Sequence, residues 1–199
     1  MQSNYILTGS IASGKSTVLE IIKSEGYNTI SADKIVKELY TSEEFLLKFK
    51  EIIGKEFFTS ALNLDKVKLR KKLFADAAFK EKVEAYVHPL VYKRIAEKLS
   101  GGINFIEVPL FFETKKYFDA SKINISGVIY VYLDENTELA RLIKRNNLSK
   151  SEAKLQIDKR LTTEEKLALS DYIIDNSKDL ISLKEEVLKT LEKINEKNI

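Results

Sequence analysis

The densest chemistry in the chain lies near its start, in Gly9, Ser10, Ile11, Ala12, Ser13, Gly14, Lys15 and Ser16, with Thr17 behind them. The spacing fits G-x-x-x-x-G-K-[ST], a loop whose backbone N–H groups cradle phosphate oxygens. In that template the lysine adds a full positive charge, and the final hydroxyl binds a metal ion shared with the phosphates. Such a loop needs a strand to deliver it and a helix N-terminus to receive it. The helix dipole and its unpaired N–H groups supply the remainder of the field around the anion. Tyr5, Ile6, Leu7 and Thr8 read as a buried strand, and Val18, Leu19, Ile21 and Ile22 have helical spacing. A chance glycine turn before a helix is the competing reading, and it leaves both flanks unexplained.

Other candidates follow along the chain. Asp33 falls where a second strand, residues 27–31, gives way to a helix; it is placed either to line a ligand site at the sheet edge or to cap the helix. Residues 66–74, after a capping Asp65, carry Lys66, Lys68, Arg70, Lys71 and Lys72, which is either a solvated face or an anion site. His88 precedes Pro89 inside a helical stretch from 77 to 99 that the proline is placed to split or kink. A structural or capping histidine competes there with a substrate contact. Glu107 interrupts the apolar strand 104–108, and Glu113 follows Pro109 and Leu110 at its end. One of Glu107, Glu113 or Asp33 is expected to support Mg2+, in the first two cases through water. Arg141 and Arg145 stand one turn apart on a helix expected over 138–144 with Asn136 or Thr137 as its cap. Paired guanidiniums suit polyphosphate; a solvated pair is the alternative.

These groups need a scaffold, and the rest of the chain supplies one. Apolar runs near residues 5, 28, 105, 129 and 173 are each followed by a helix, which predicts a parallel sheet with helices on both faces. The expected fold class is α/β, a three-layer α/β/α phosphate-loop fold with a five-stranded parallel sheet. It forms one domain over 1–199: a core of 1–41, 101–140 and 167–199, an inserted helical substrate subdomain over about 42–100, and a basic helical lid over about 141–166.

Composition narrows the function further. In 199 residues there are no cysteines and one histidine, so cysteine metal sites are excluded and a histidine cluster or Ser–His network is improbable. Net charge is +3, enough to suit a polyanionic small molecule without demanding nucleic acid. No apolar run approaches a membrane span, and the early first strand leaves no room for a signal peptide, so a cytoplasmic protein is expected. The guanine-reading Asn-Lys-x-Asp of a GTPase is missing, and Asn176-Ser177-Lys178-Asp179 has the wrong spacing. A small-molecule kinase fits the size and layout; a slow ATP-binding regulatory module and a kinase for a nucleotide or another alcohol are the alternatives.

Taken together, the residues resemble the dephospho-coenzyme A kinase family. Leu7 to Ser16 follows its Leu-Thr-Gly-Gly-Ile-Gly-Ser-Gly-Lys-Ser, and Ser31-Ala32-Asp33 follows its Asp-Ala-Asp. His88-Pro89, Pro109-Leu110-Phe111-Phe112-Glu113, Arg141 with Leu142 and Arg145, and the string from Ser170 to Asn176 follow in family order. The resemblance implies transfer of phosphate from ATP, with Mg2+, to the ribose 3′-hydroxyl of dephospho-CoA. Asp33 is then the catalytic aspartate, Lys15 holds the β- and γ-phosphates, and Arg141 offsets charge on the transferred group. Residues 9–17 with Arg145 and Asn176 bind ATP, with Ser16 toward the metal and Asn176 beside the adenine. Thr8, Asp33, Lys66, His88, Pro109 and Leu110 face the acceptor. Partners are ATP and dephospho-CoA alone, with neither nucleic acid nor membrane, in a monomer or weak homo-oligomer. Outside the lid segment that pairs Gln156 with Arg160, the departures from the family pattern are these: Ser10 and Ala12 replace glycines, Lys66 replaces an arginine, and Glu138 replaces a glutamine. In the lid, Gln156 and Arg160 stand where the pattern has arginine and glutamine, which leaves their individual roles open.

Overall fold

Residues Gln2–Gly9 form strand β1, and from Ser3 onward every one of them is buried. That pattern belongs to the central strand of a sheet covered on both faces. Tyr5 and Leu7 pack into one core and Ile6 into the other, as the two-residue period of a strand requires. The computed structural model describes residues 2–158 and 161–198.

After β1 come α1 (Lys15–Ser24), β2 (Asn28–Ser31), α2 (Ala32–Leu39), α3 (Glu43–Ile53), a single 3₁₀ turn (Lys55–Phe57), α4 (Lys66–Ala75) and α5 (Ala77–Lys98). Next are β3 (Gly102–Glu107), α6 (Phe111–Asp119), β4 (Gly127–Tyr132), α7 (Glu135–Asn146), α8 (Lys150–Asp158), α9 (Thr163–Ala168), β5 (Tyr172–Asp175) and α10 (Leu180–Lys197). The five strands form one parallel sheet in the order β2-β3-β1-β4-β5. The connection after β1 leaves toward β2, whereas those after β3 and β4 leave the other way. The crevice at the carboxyl edge around β1 is therefore the ligand position of this topology. Among the described residues, no helix is long and apolar enough to cross a membrane.

One face of the sheet packs on α1 and α10 through Val18, Leu19, Ile22, Leu183, Val187 and Leu191. On the other face a single continuous core runs from Ile6, Ile30 and Ile106 into α2, α3, α5 and α6. Phe49 lies fully buried there, stacked on Phe45 at 5.1 Å and edge-on to Tyr40 at 5.5 Å. The helical insertion is thus joined to the sheet by shared apolar packing.

Three local expectations change. Pro89 does not divide α5, which continues through it as one helix. Val83, Val87, Val91, Tyr92 and Ile95 are buried on both sides of the proline, and at about 2 kcal/mol each they outweigh the roughly 3 kcal/mol that an interior proline costs. Helix α7 begins three residues before the expected start. Its cap is Asp134, whose carboxylate accepts from the Thr137 N–H at 3.0 Å, rather than Asn136 or Thr137. Helix α2 is capped by the Ser31 hydroxyl, which frees Asp33 from capping duty and leaves it exposed in the first turn. The expected cap Asp65 is observed, and of the two adjacent threonines before α9 it is Thr162 that caps, in a reciprocal capping box with Glu165.

Because one core joins insertion and sheet, chemical denaturation followed by far-UV dichroism and tyrosine fluorescence is expected to show a single transition. Phe49→Ala should lower the stability read from that whole transition by about 3–5 kcal/mol; a separate early phase would show that the insertion folds by itself. A second outcome concerns His88. Its ring lies flat on Tyr117 at 4.7 Å, and burial lowers its pKa from 6.5, with Lys116 and Lys80 acting in the same direction and Glu84 opposing them. The unfolded chain then takes up this proton at a higher pH than the folded chain, so stability falls as pH drops below 6.5. Urea titrations across that range should show a loss that His88→Gln removes.

Candidate active site

The phosphate loop turns because two of its residues have left-handed backbones, Ala12 with φ 58° and Gly14 with φ 87°. At Gly14 a Cβ would collide with the side-chain amide of Asn176. That amide, buried at the end of β5, donates to the Ser13 carbonyl at 2.7 Å and pins the loop from behind. Gly9 is equally constrained, since a Cβ there would lie 2.5 Å from the Val131 carbonyl. Ser10 and Ala12 resolve differently in the space of the family glycines. Ala12 accepts the left-handed geometry at a cost of about 1–2 kcal/mol. Ser10 turns inward, 3 % exposed, and its hydroxyl shares a 2.7 Å hydrogen bond with the Tyr130 hydroxyl. The Lys15 ammonium donates to the carbonyls of Ser10 at 2.7 Å and Gly9 at 3.2 Å. Ser13 Oγ is buried with no hydrogen-bond partner among the described residues, and Ser16 and Thr17 open to solvent at the start of α1. A buried, unpartnered hydroxyl beside a lysine and a helix N-terminus is the donor-rich setting of an anion site.

Glu107 closes β3 at the same edge and is 5 % exposed. Its two oxygens are divided: Oε2 accepts from the Ser31 hydroxyl at 2.6 Å, and Oε1 accepts from the Ser16 hydroxyl at 3.4 Å. One buried carboxylate thus ties the last loop residue to the cap of α2, two residues before Asp33. The register Ser31 opposite Glu107 and Leu7 opposite Glu107 sets this spacing. Glu113, the other carboxylate after β3, is committed elsewhere. It pairs at 3.4 Å with Lys166 of α9, whose side chain is 8 % exposed.

Among the residues expected to face the acceptor, Thr8 is buried and donates to the Pro109 carbonyl at 3.3 Å. It braces the turn that presents Pro109, half-buried, and Leu110, exposed. His88 is half-buried between α5 and α6, and Lys66 starts α4 fully in solvent beside Arg70 and Lys71. Arg141 and Arg145 share a face of α7; the first is half-buried with no ion pair among the described residues, and the second is exposed with Nε on the Asn146 carbonyl oxygen of the side chain at 3.2 Å. Arg160 and the side chain of Gln156 lie outside the described residues. Sequence reasoning missed Ser31, Tyr130 and Lys166. Ser31 was overshadowed by its acidic neighbour, Tyr130 reads as ordinary strand filling, and Lys166 sits in a charged string with the pattern of a surface.

Comparison with known proteins bears on the family of the chain. The family model described as dephospho-CoA kinase matches residues 5–182. The dephospho-CoA kinase of Carboxydothermus hydrogenoformans is 36 % identical over 194 residues, covering 94 % of this chain and 92 % of its own. Among solved structures, the dephospho-CoA kinase of Campylobacter jejuni superposes over the full length of both chains with a TM-score of 0.69 and 30 % identity. A Thermus thermophilus protein superposes with a TM-score of 0.81 at 25 % identity, over 96 % of this chain and 97 % of its own. Matching a family model along most of its length and relatives end to end, the chain belongs to the dephospho-CoA kinase family.

Proposed function

We propose that this chain transfers the γ-phosphate of ATP to the ribose 3′-hydroxyl of dephospho-CoA, giving CoA and ADP, the last step of coenzyme A synthesis. The observation that carries the reading is the arrangement around Glu107. One carboxylate holds the phosphate loop and the helix start of Asp33 at adjacent points of a single sheet edge. That arrangement supports a donor site and an Asp33 base lying side by side, as in-line phosphoryl transfer would require.

ATP phosphates would lie on the N–H groups of residues 9–17, with Ser13 and Ser16 supplying hydroxyls. Lys15 would exchange its two carbonyl partners for β- and γ-phosphate oxygens, so binding replaces one set of contacts by a charge-assisted set. Asp33, exposed and free of capping, would take the proton of the acceptor hydroxyl as its oxygen bonds to the γ-phosphorus and the bond to the ADP oxygen breaks. Arg141 would offset charge on the transferred group. Arg145 and the segment 141–166 would enclose the nucleotide and exclude water, and the turn at Asn176 would flank the adenine. Lys66, His88, Pro109 and Leu110 would meet the acceptor, with Thr8 supporting Pro109. Ser16 and Glu107 fit Mg2+ as a hydroxyl and a carboxylate with the other positions left to phosphate and water, and the ion would draw charge off the phosphates. This division favours Glu107 over Glu113, whose carboxylate is paired with Lys166. The proposed setting is the cytoplasm, as a monomer or weak homo-oligomer that acts on small molecules and not on nucleic acid.

Incubation with ATP, Mg2+ and dephospho-CoA should yield CoA and ADP in equal amounts. Ready phosphorylation of a nucleoside monophosphate with no CoA formed would defeat the substrate assignment. Asp33→Asn is expected to leave ATP affinity nearly intact and to lower turnover by roughly 10²–10⁴-fold; an unchanged rate removes Asp33 from the mechanism. Glu107→Gln should raise the Mg2+ concentration at half-maximal rate by about 10- to 100-fold. A metal titration in which Glu113→Gln gives the larger shift would reverse the assignment.

A further inference from the structure

Ser10 is the junction of the phosphate loop. Its carbonyl accepts from Lys15 Nζ at 2.7 Å and from the Ser13 N–H at 3.3 Å, while its hydroxyl meets the Tyr130 hydroxyl at 2.7 Å. Tyr130 is anchored in the middle of β4, opposite Thr8 of β1, and is fully buried. A glycine at position 10 would need no partner there. A buried serine hydroxyl does, because leaving it unpaired costs more than the hydrogen bond itself contributes. Burial also raises the Tyr130 pKa, so the phenol keeps its proton and the hydrogen bond persists across the working pH range.

We propose that Tyr130 is a positioning residue for ATP: its hydroxyl, bonded to Ser10 beneath the loop, fixes the peptide against which Lys15 and Ser13 are set. It touches neither substrate. It acts by holding the Ser10 peptide in one orientation, so that the loop is preorganised when phosphate arrives. Phosphate contacts made through the loop serve ground state and transition state alike, so the effect falls on ATP binding more than on the chemical step.

The inference rests on the reading that ATP occupies this loop, and a double-mutant cycle tests it separately. With dephospho-CoA saturating, Tyr130→Phe should lower kcat/KM for ATP about tenfold, chiefly through KM, because the Ser10 hydroxyl is left buried and unpaired. The KM for dephospho-CoA should stay within about twofold, as expected for a site that does not share the loop. In a Ser10→Ala background, the same Tyr130→Phe change should alter kcat/KM for ATP by less than about twofold. Equal losses in both backgrounds would mean that Tyr130 acts by packing alone, and no loss in either would mean that it does not act; each overturns the proposal. Calorimetric binding of a non-hydrolysable ATP analogue to the same four proteins gives the cycle without turnover, should Ser10→Ala be too slow to assay. A wild-type protein that does not bind the analogue at all would instead overturn the placement of ATP.

Discussion

A phosphate loop works only while its backbone N–H groups point at empty space, and a polypeptide does not hold such a shape unaided. Unpaired donors near a protein interior carry a penalty, and the loop relaxes toward any conformation that satisfies them. The surroundings here prevent that collapse from three sides. Asn176 holds the Ser13 carbonyl from the end of β5, Tyr130 holds the Ser10 hydroxyl from β4, and Glu107 holds the Ser16 hydroxyl from β3. Every restraint comes from another strand of the same sheet or from the residue just after it. The sheet therefore acts as the clamp, and the order β2-β3-β1-β4-β5 brings three separate clamping residues around one loop.

The same logic accounts for the acid in β3. A carboxylate at 5 % exposure in a strand beside Phe105 and Ile106 is costly unless both oxygens are bonded. Two serine hydroxyls meet that need, and in doing so they tie the start of α1 to the start of α2, two residues before Asp33. A residue that looks like a defect in the core is the spacer of the site.

Much of this was legible in the sequence because buried parallel strands are written as apolar runs. All five runs became strands, and the glycine–lysine motif landed between β1 and α1. Capping chemistry was readable where one polar residue stood alone before a helix, as with Asp65. It failed where acceptors crowd. Ser31 precedes Asp33 by two positions and took the cap, and Asp134 took it ahead of Asn136 and Thr137. Pro89 misled because local propensity was outweighed by packing on both sides. Strand order stayed hidden, since β1 pairs with strands about a hundred residues away. The supporting roles of Tyr130 and Lys166 were invisible for a related reason: each depends on a partner distant in sequence, Ser10 in one case and Glu113 in the other.

The core shared by the insertion and the sheet also decides where the molecule can bend. Swinging α3 and α5 away from the sheet would uncover Phe49, Tyr92 and Ile95, each fully buried, at roughly 2 kcal/mol apiece. By contrast, the described part of 141–166 buries few side chains, Leu142, Ala153 and Lys166 among them. The insertion is therefore bound to the sheet more firmly than 141–166 is bound to its surroundings, and a change of shape costs least in that segment.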